Sequence, residues 1–394
     1  MKTLPHMTST ILVLNAGSSS LKYKLFQGET ELLAGMIDSI GHNGTSSVRT
    51  NEITRSSARS TPNHDDAIAA ALATVQEIFP HEQIDYVAHR VVHGGENFTH
   101  HTVINKDIEE GIQELAKLAP LHNPANLAGI KAARAALPDA THIACFDTAF
   151  HHTIPKFAFL YGLPYALYTD YGIRKYGFHG LSHEYCAQRA YEITHHSDRI
   201  ITCHLGAGSS ICAVHNGRSH DTTMGFTPLD GLLMATRAGE LDPDIPLYLM
   251  ETHNLTSQQV RNLLNNESGL KGLTGSGDLR EVKRRSDAGE SMAQTAIEMM
   301  CYRIALNIGS YHITLGGVRA ITFTGGIGEN ASFIRSRVCS LLAPLGVVID
   351  DAANARGHDK ISTSHSAVSV HVIPANEELH MARIVLAGRF TNYS

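Results

Sequence analysis

The chain has 394 residues, 43% hydrophobic and 18% charged, with 38 acidic against 32 basic side chains and a formal net charge of −6. That length exceeds one ordinary core and implies two domains or three, in the composition of a soluble globular protein. No basic stripe invites nucleic acid, and no apolar run approaches a membrane span or a secretory leader, so neither partner is expected and a cytoplasmic setting is.

In chain order, the apolar stretch Ile11–Leu14 reads as a strand. It passes through the turn at Gly17–Ser20 into a second strand, where Leu21, Tyr23 and Leu25 alternate with Lys22 and Lys24. Residues 41–63, rich in Gly, Ser and Thr, read as a loop or a weakly paired hairpin. A helix follows to about Phe79, with Asn63 or Asp65 as its cap. "IDYVAHRVVHGG" (84–95) is a buried strand, "KDIEEGIQELAKLAP" and "NLAGIKAARAAL" are amphipathic helices, and "THIACFDTAFHHTIP" is a strand running into a loop.

The second half restarts the pattern. A helix over about Ser182–Thr194 leads to the strand Arg199–His204, a second Gly-Ser turn and the strand Ile211–His215. The longest helical signal lies in "SDAGESMAQTAIEMMCYRIALNIGSYHITLGG". "VRAITFTGGIGEN" is a strand, Gly turn and helix; "SVHVIPANEE" is a short strand, and a helix closes the chain over Glu377–Gly388. This alternation predicts two α/β domains related by duplication, with ligands at the cleft between them.

Six cysteines (Cys145, Cys186, Cys203, Cys212, Cys301 and Cys339) lack C-x-x-C spacing and read as buried or idle thiols. The 25 histidines include adjacent pairs at 100–101, 151–152 and 195–196, which point apart and chelate poorly.

The two Gly-Ser turns are not P-loops, since no Gly-Lys-Ser/Thr follows them in the required spacing. Turns of this kind expose backbone amides and hydroxyls to one spot and form nests for phosphate. The third glycine run, Gly325-Gly326-Ile327-Gly328, lets a ligand approach backbone where a helix begins. Apolar strands deliver charge alongside: Arg90, Asp147, Glu377 and Glu378, with Arg237 in "LLMATRAGELDPD" and His179 in "KYGFHGLSHE". Two arginines and several carboxylates suit phosphoryl transfer, which needs cations on the equatorial oxygens and hard oxygen ligands for Mg²⁺.

"LVLNAGSSSLKYKL", "AHRVVHGGE", "APLHNPANL", "FDTAFHHTIP", "YGFHGLSH", "HLGAGSS", "MGFTPLDGLLMATRAGELDPD", "TFTGGIGEN" and "PANEEL" resemble, in order and spacing, the acetokinase family over essentially the whole chain. The resemblance implies two ribonuclease-H-like domains of the actin-like ATPase type, related by duplication around an ATP cleft. It sets one domain at 1–150 with the C-terminal helix 379–394, on the acceptor side, and a nucleotide-binding domain at 151–378. It implies reversible transfer of the ATP γ-phosphoryl group to acetate, giving acetyl phosphate and ADP by a direct in-line mechanism with Mg²⁺ or Mn²⁺, in a homodimer.

By matching motifs, Asn15 and Glu377 are the expected metal residues and Lys22 a nucleotide-phosphate contact. Arg90 is expected on the substrate carboxylate, Asp147 as the central carboxylate, and His179 and Arg237 as transition-state stabilisers with His122 nearby. His204, Leu205, Gly206, Ala207, Gly208, Asp278, Leu279, Arg280, Gly326, Ile327, Gly328, Glu329 and Asn330 are expected to line the nucleotide. Val92, Leu121, Phe178 and Pro228 are expected to wall the acyl pocket, where Val92 in place of a smaller residue favours acetate over propionate.

Three positions depart from the family pattern. Ala207 stands for an Asn, Leu279 for Phe or Met, and Ala235 for a Gly, which touches nucleotide affinity and not the reaction. Two alternatives remain: a propionate-preferring kinase, and a non-catalytic actin-like ATP-binding protein. The presence of Arg90, Asp147, His179 and Arg237 argues against the second.

Overall fold

The sequence TILVLNA leaves only Asn15 half-buried; every other side chain of β1 (Thr10–Ala16) is buried, as befits the centre of a sheet covered on both faces. In the computed structural model, which describes residues 8–17, 19–120, 122–194 and 197–392, the chain divides into two compact units. The first comprises 1–150 with 376–394 and the second 151–375. Ser18, Leu121 and the pair His195–His196 lie outside the described residues.

The first unit adds β2 (Ser20–Gln27), β3 (Thr30–Asp38), β4 (Asn43–Arg49), β5 (Thr54–Ser60), β6 (Tyr86–Val91), β7 (Thr102–Val103) and β8 (Thr141–Phe146). They form one sheet in the order β5-β4-β3-β2-β1-β6-β8-β7, with β1, β6 and β8 parallel and β1, β2 and β3 antiparallel in turn. Of the two readings of 41–63, the paired hairpin is the observed one. The helix His64–Ile78 is capped by Asn63, whose Oδ1 accepts from the Asp66 amide at 2.9 Å.

The second unit holds β9 (Arg199–Leu205), β10 (Ser209–His215), β11 (Arg218–Thr222), β12 (Ala320–Thr324) and β13 (Ser369–Val372) in the order β11-β10-β9-β12-β13. Here β9, β10 and β11 are antiparallel in turn, and β9, β12 and β13 are parallel. Order and direction repeat those of β3-β2-β1-β6-β8. This is the duplicated ribonuclease-H-like arrangement the resemblance implied. The helix Ser291–Thr314 buries Ala293, Ala296, Ile297, Met300, Cys301, Ile304 and Ile308, a three-four spacing that lays one face on this sheet's core. All six cysteines are buried and none forms a disulfide. Among the described residues, no helix is long and apolar enough to cross a membrane.

Candidate active site

In the first unit the parallel strands β1, β6 and β8 end on one edge, the place where open α/β sheets present ligand-binding groups. Asn15 and Arg90 are the penultimate residues of β1 and β6, and Asp147 follows β8. Arg90 donates from Nη2 to Asp147 Oδ2 at 2.6 Å and from Nε to both carboxylate oxygens at 3.1 and 3.2 Å. Its Nη1 reaches Asn15 Oδ1 at 3.4 Å, and Glu377 Oε2 lies 3.9 Å from Nε. Burial alone would lower the Arg90 pKa, but the charges of Asp147 and Glu377 overturn that and hold it above the usual arginine range. Asp147 is 1% exposed, so this is a paired, buried charge.

Two asparagines that the sequence reading passed over fix this edge. On the helix Asn123–Ala136, Asn126 donates to the Ala16 carbonyl (2.6 Å) and accepts from the Val92 amide (3.0 Å). Asn123 brackets the His93 peptide, accepting from its amide at 3.2 Å and donating to its carbonyl at 3.0 Å. Their three-residue spacing in "HNPAN" puts both on one helix face, the signal that was available. His122 occupies the cap position of that helix without a side-chain cap bond. Lys22 is exposed on β2 beside Lys24 and Glu378, around a hollow of about 330 Å³.

In the second unit His179 adopts a left-handed backbone (φ +55°) and starts the helix Gly180–Ile193. Its ring stacks on His204 with centroids 4.3 Å apart, and Nδ1 lies 2.9 Å from Ser210 Oγ. A methyl group placed on Gly208 would sit 3.5 Å from His179 Cε1 and 3.6 Å from Arg237 Nη1, so both side chains face that glycine. Arg237 donates to the Pro228 carbonyl at 3.3 Å, and burial pulls its pKa below the usual value. Behind His179 stands a buried set, His183, Ser210 and Thr202, that the sequence reading did not single out.

A cavity of about 630 Å³ opens in the same unit, within the usual range for small-molecule sites. Ala207, Asp278, Leu279, Arg280, Gly326, Ile327 and Asn330 line it, joined by Ala235, Gly277, Lys283, Ala331 and Phe333. Leu205 and Gly328 are buried behind the wall. Glu329 differs from expectation: its Oε1 accepts from the Gly325 amide (3.0 Å) and the Ala375 amide (2.9 Å), so it is a strut of the glycine turn. Gly325 needs its φ of +79°, and a Cβ there would come within 2.7 Å of the Leu205 carbonyl. Asp278 caps the helix Leu279–Asp287 and pairs with Arg280 at 2.7 Å.

The phosphate-nest reading of the two hairpin turns needs adjustment. The Gly17 amide donates to the Ser20 carbonyl at 2.8 Å, and the Gly206 amide to the Gly208 carbonyl at 3.1 Å. Both of these amides are engaged within their own turns, so a nest there would use the remaining amides and hydroxyls. Of the expected acyl wall, Val92 lies in the first unit, and Phe178 (buried) and Pro228 (half-buried) in the second.

The model of the acetokinase family matches residues 10–383. Acetate kinases from Carboxydothermus hydrogenoformans and Thermotoga maritima are each 45% identical over 390 residues; both alignments cover 95% of this chain, with 98% and 97% of the relatives. Among solved structures, a propionate kinase from Francisella tularensis superposes with a TM-score of 0.91 at 40% identity, covering 95% of this chain and 98% of that one. The acetate kinase of Porphyromonas gingivalis gives 0.89 at 38% identity, covering 96% and 99%.

Proposed function

The chain belongs to the acetokinase family, and from that premise we propose how its parts carry out the transfer. It is a phosphotransferase with a carboxyl acceptor, an acetate kinase in activity, moving the γ-phosphoryl group of ATP to acetate and back. A carboxylate oxygen forms the new P–O bond as the bond to the β-γ bridging oxygen breaks, leaving acetyl phosphate and ADP. Acetate is already ionised at neutral pH, so no strong base is needed. Arg90 binds and orients the acceptor carboxylate. Asp147 holds that guanidinium in place and, with the arginine, keeps the edge electrically balanced. His179 and Arg237 face the transferring phosphoryl oxygens, and the 630 Å³ cavity takes the nucleoside.

The oxygen donors at the first unit's edge fit Mg²⁺, which uses one or two carboxylates and leaves its other positions to phosphates and water. Asn15 and Glu377 would hold it, and when bound it neutralises charge on the phosphate oxygens. Lys22 serves the same end as a nucleotide-phosphate contact.

The observation that carries this reading is Arg90, fixed by Asp147 at the shared end of β1, β6 and β8. Trapping acyl phosphate with hydroxylamine tests it, with acetate, propionate and butyrate in parallel. Acetyl hydroxamate should form fastest. Propionate follows within about 10–200-fold, because one methylene in an apolar pocket discriminates weakly. ATP binding without any hydroxamate overturns the reading, and a faster propionate reaction overturns acetate as the preferred acceptor.

The assembly is a homodimer. Supporting this, Met292, Met299, Tyr302, Leu306 and Ile313 expose an apolar stripe along the helix Ser291–Thr314, at intervals of seven, three, four and seven residues. Leu306→Glu should shift the sedimentation coefficient to that of the monomer; an unchanged dimer removes this surface from consideration.

A further inference from the structure

In the second unit four side chains form one file of hydrogen bonds. His179 Nδ1 lies 2.9 Å from Ser210 Oγ, Ser210 Oγ lies 2.7 Å from His183 Nε2, and His183 Nδ1 lies 2.7 Å from Thr202 Oγ1. Ser210, His183 and Thr202 are all 0% exposed. Burial, reinforced by neighbouring His151 and His204, pushes the His183 pKa well below its ordinary value, so that ring is neutral.

Such a file has a direction. Each hydroxyl has one proton and each neutral imidazole has one N–H, so fixing a proton at one end fixes all the others. In one direction His179 donates from Nδ1, Ser210 donates to His183, and His183 donates to Thr202. The Thr202 hydroxyl proton is then stranded in the core, because His183 is the hydroxyl's partner and is already donating to it. In the other direction Thr202 donates to His183 Nδ1, His183 Nε2 donates to Ser210, and Ser210 donates to His179 Nδ1. Every proton in the file is then used. An unmet buried donor is costly, whereas a hydroxyl with spare lone pairs is tolerated.

We propose that Thr202, His183 and Ser210 hold His179 in the tautomer that carries its proton on Nε2, the edge of the ring facing Gly208 and Arg237. His179 thereby presents an N–H donor, not a lone pair, to an oxygen of the transferring phosphoryl group. This last step rests on the role given to His179 above. His183 is a positioning residue, and its place four residues after His179 in "FHGLSH" puts both rings on one side of the first helical turns.

Nitrogen–proton correlation spectra of the ¹⁵N-histidine-labelled protein test the file directly, with His179 identified by the signals lost in His179→Gln. The expected pattern is a protonated Nε2 and a bare Nδ1; the opposite pattern overturns the proposal. Thr202→Val keeps the shape and removes the terminal donor. The Nδ1-protonated form of His179 should then appear, and kcat should fall about threefold with the KM for ATP unchanged, as a two-state population shift requires. Thr202→Ser should restore both. An unchanged His179 tautomer in Thr202→Val also overturns the proposal. If His179→Gln keeps full kcat, the phosphoryl role of His179 fails, while the wild-type spectrum still decides the direction of the file.

Discussion

The two units run the same five strands in the same order, yet their site edges are built from opposite materials. In the first, Arg90 is locked to Asp147, with Glu377 close by, and the cation is neutralised before any ligand arrives. In the second, Arg237 donates to a carbonyl, and no carboxylate among the described residues forms an ion pair with it. Its neighbour across Gly208 is His179. A balanced edge suits an acceptor bearing a single charge. An arginine that forms no ion pair among the described residues suits a phosphoryl group, whose charge is spread over three oxygens during transfer. Repeated topology sets where a site lies; the residue types at the strand ends set the charge each edge presents.

Alanine at each arginine is the largest break in that comparison. Arg90→Ala leaves Asp147 ionised and buried, costing about 3–5 kcal/mol of stability, and should lower kcat by about 10³-fold. Arg237→Ala strands no charge, so its kcat should fall comparably while urea unfolding shifts by about 1 kcal/mol or less. Equal stability losses in both variants would erase the contrast between the two edges. Near-normal turnover in either would remove that arginine from the site.

Gly208→Ala is the next largest test and addresses the second unit alone. The added methyl meets His179 and Arg237 at ordinary contact distances of 3.5 and 3.6 Å, so the chain should fold with normal stability. The methyl occupies the spot both side chains face, and kcat should fall about 10²-fold through misplacement of the reacting group. Full activity would mean that His179 and Arg237 act elsewhere.

Much of this was legible in the sequence, where local rules suffice. The apolar runs at Ile11–Leu14 and 199–204, the glycine turns and the Asn63 cap are set by neighbours in the chain, and they appear as expected. The hairpin β4–β5 was ambiguous because β5 is exposed along its whole length, leaving no alternation to read. What the sequence hid are groups that meet only through packing. Asn126 reaches Ala16 from 110 residues away, and Thr202, Ser210 and His183 come from two strands and a helix. Glu329, which the resemblance sets along the nucleotide, has one carboxylate oxygen bonded to two backbone amides.

Acid should expose what the two units share. Burial holds His93 in the first unit and His151 in the second at about 4, and His89 and His183 well below their ordinary value. The unfolded chain binds these protons near pH 6.5, so the stability contributed by neutral burial is complete above that pH and is lost as pH falls toward 4. Each group costs up to about 1.4 kcal/mol per pH unit in that window. With four such groups, urea unfolding at pH 5.5 should therefore show about 5 kcal/mol less stability than at pH 7. A flat profile would mean that these histidines are not buried neutral, and the direction of the His183 file would fall with them.

The smallest expected effect belongs to Ala207, at the tip of the β9–β10 turn, where the family resemblance leads one to expect asparagine. Ala207 is exposed, lines the cavity and anchors its backbone by accepting from the Ala235 amide at 3.1 Å. A longer side chain can therefore be added without moving the turn. Ala207→Asn supplies one donor and one acceptor at the cavity wall. A single hydrogen bond to the nucleotide is worth about 0.5–1.5 kcal/mol, so the KM for ATP should fall about threefold with kcat and the acetate KM unchanged. A change in kcat instead would place this turn on the transferring phosphoryl group. The division of labour would then run through the second unit's turn itself, with His179 and Arg237 acting on a group that Ala207 already touches.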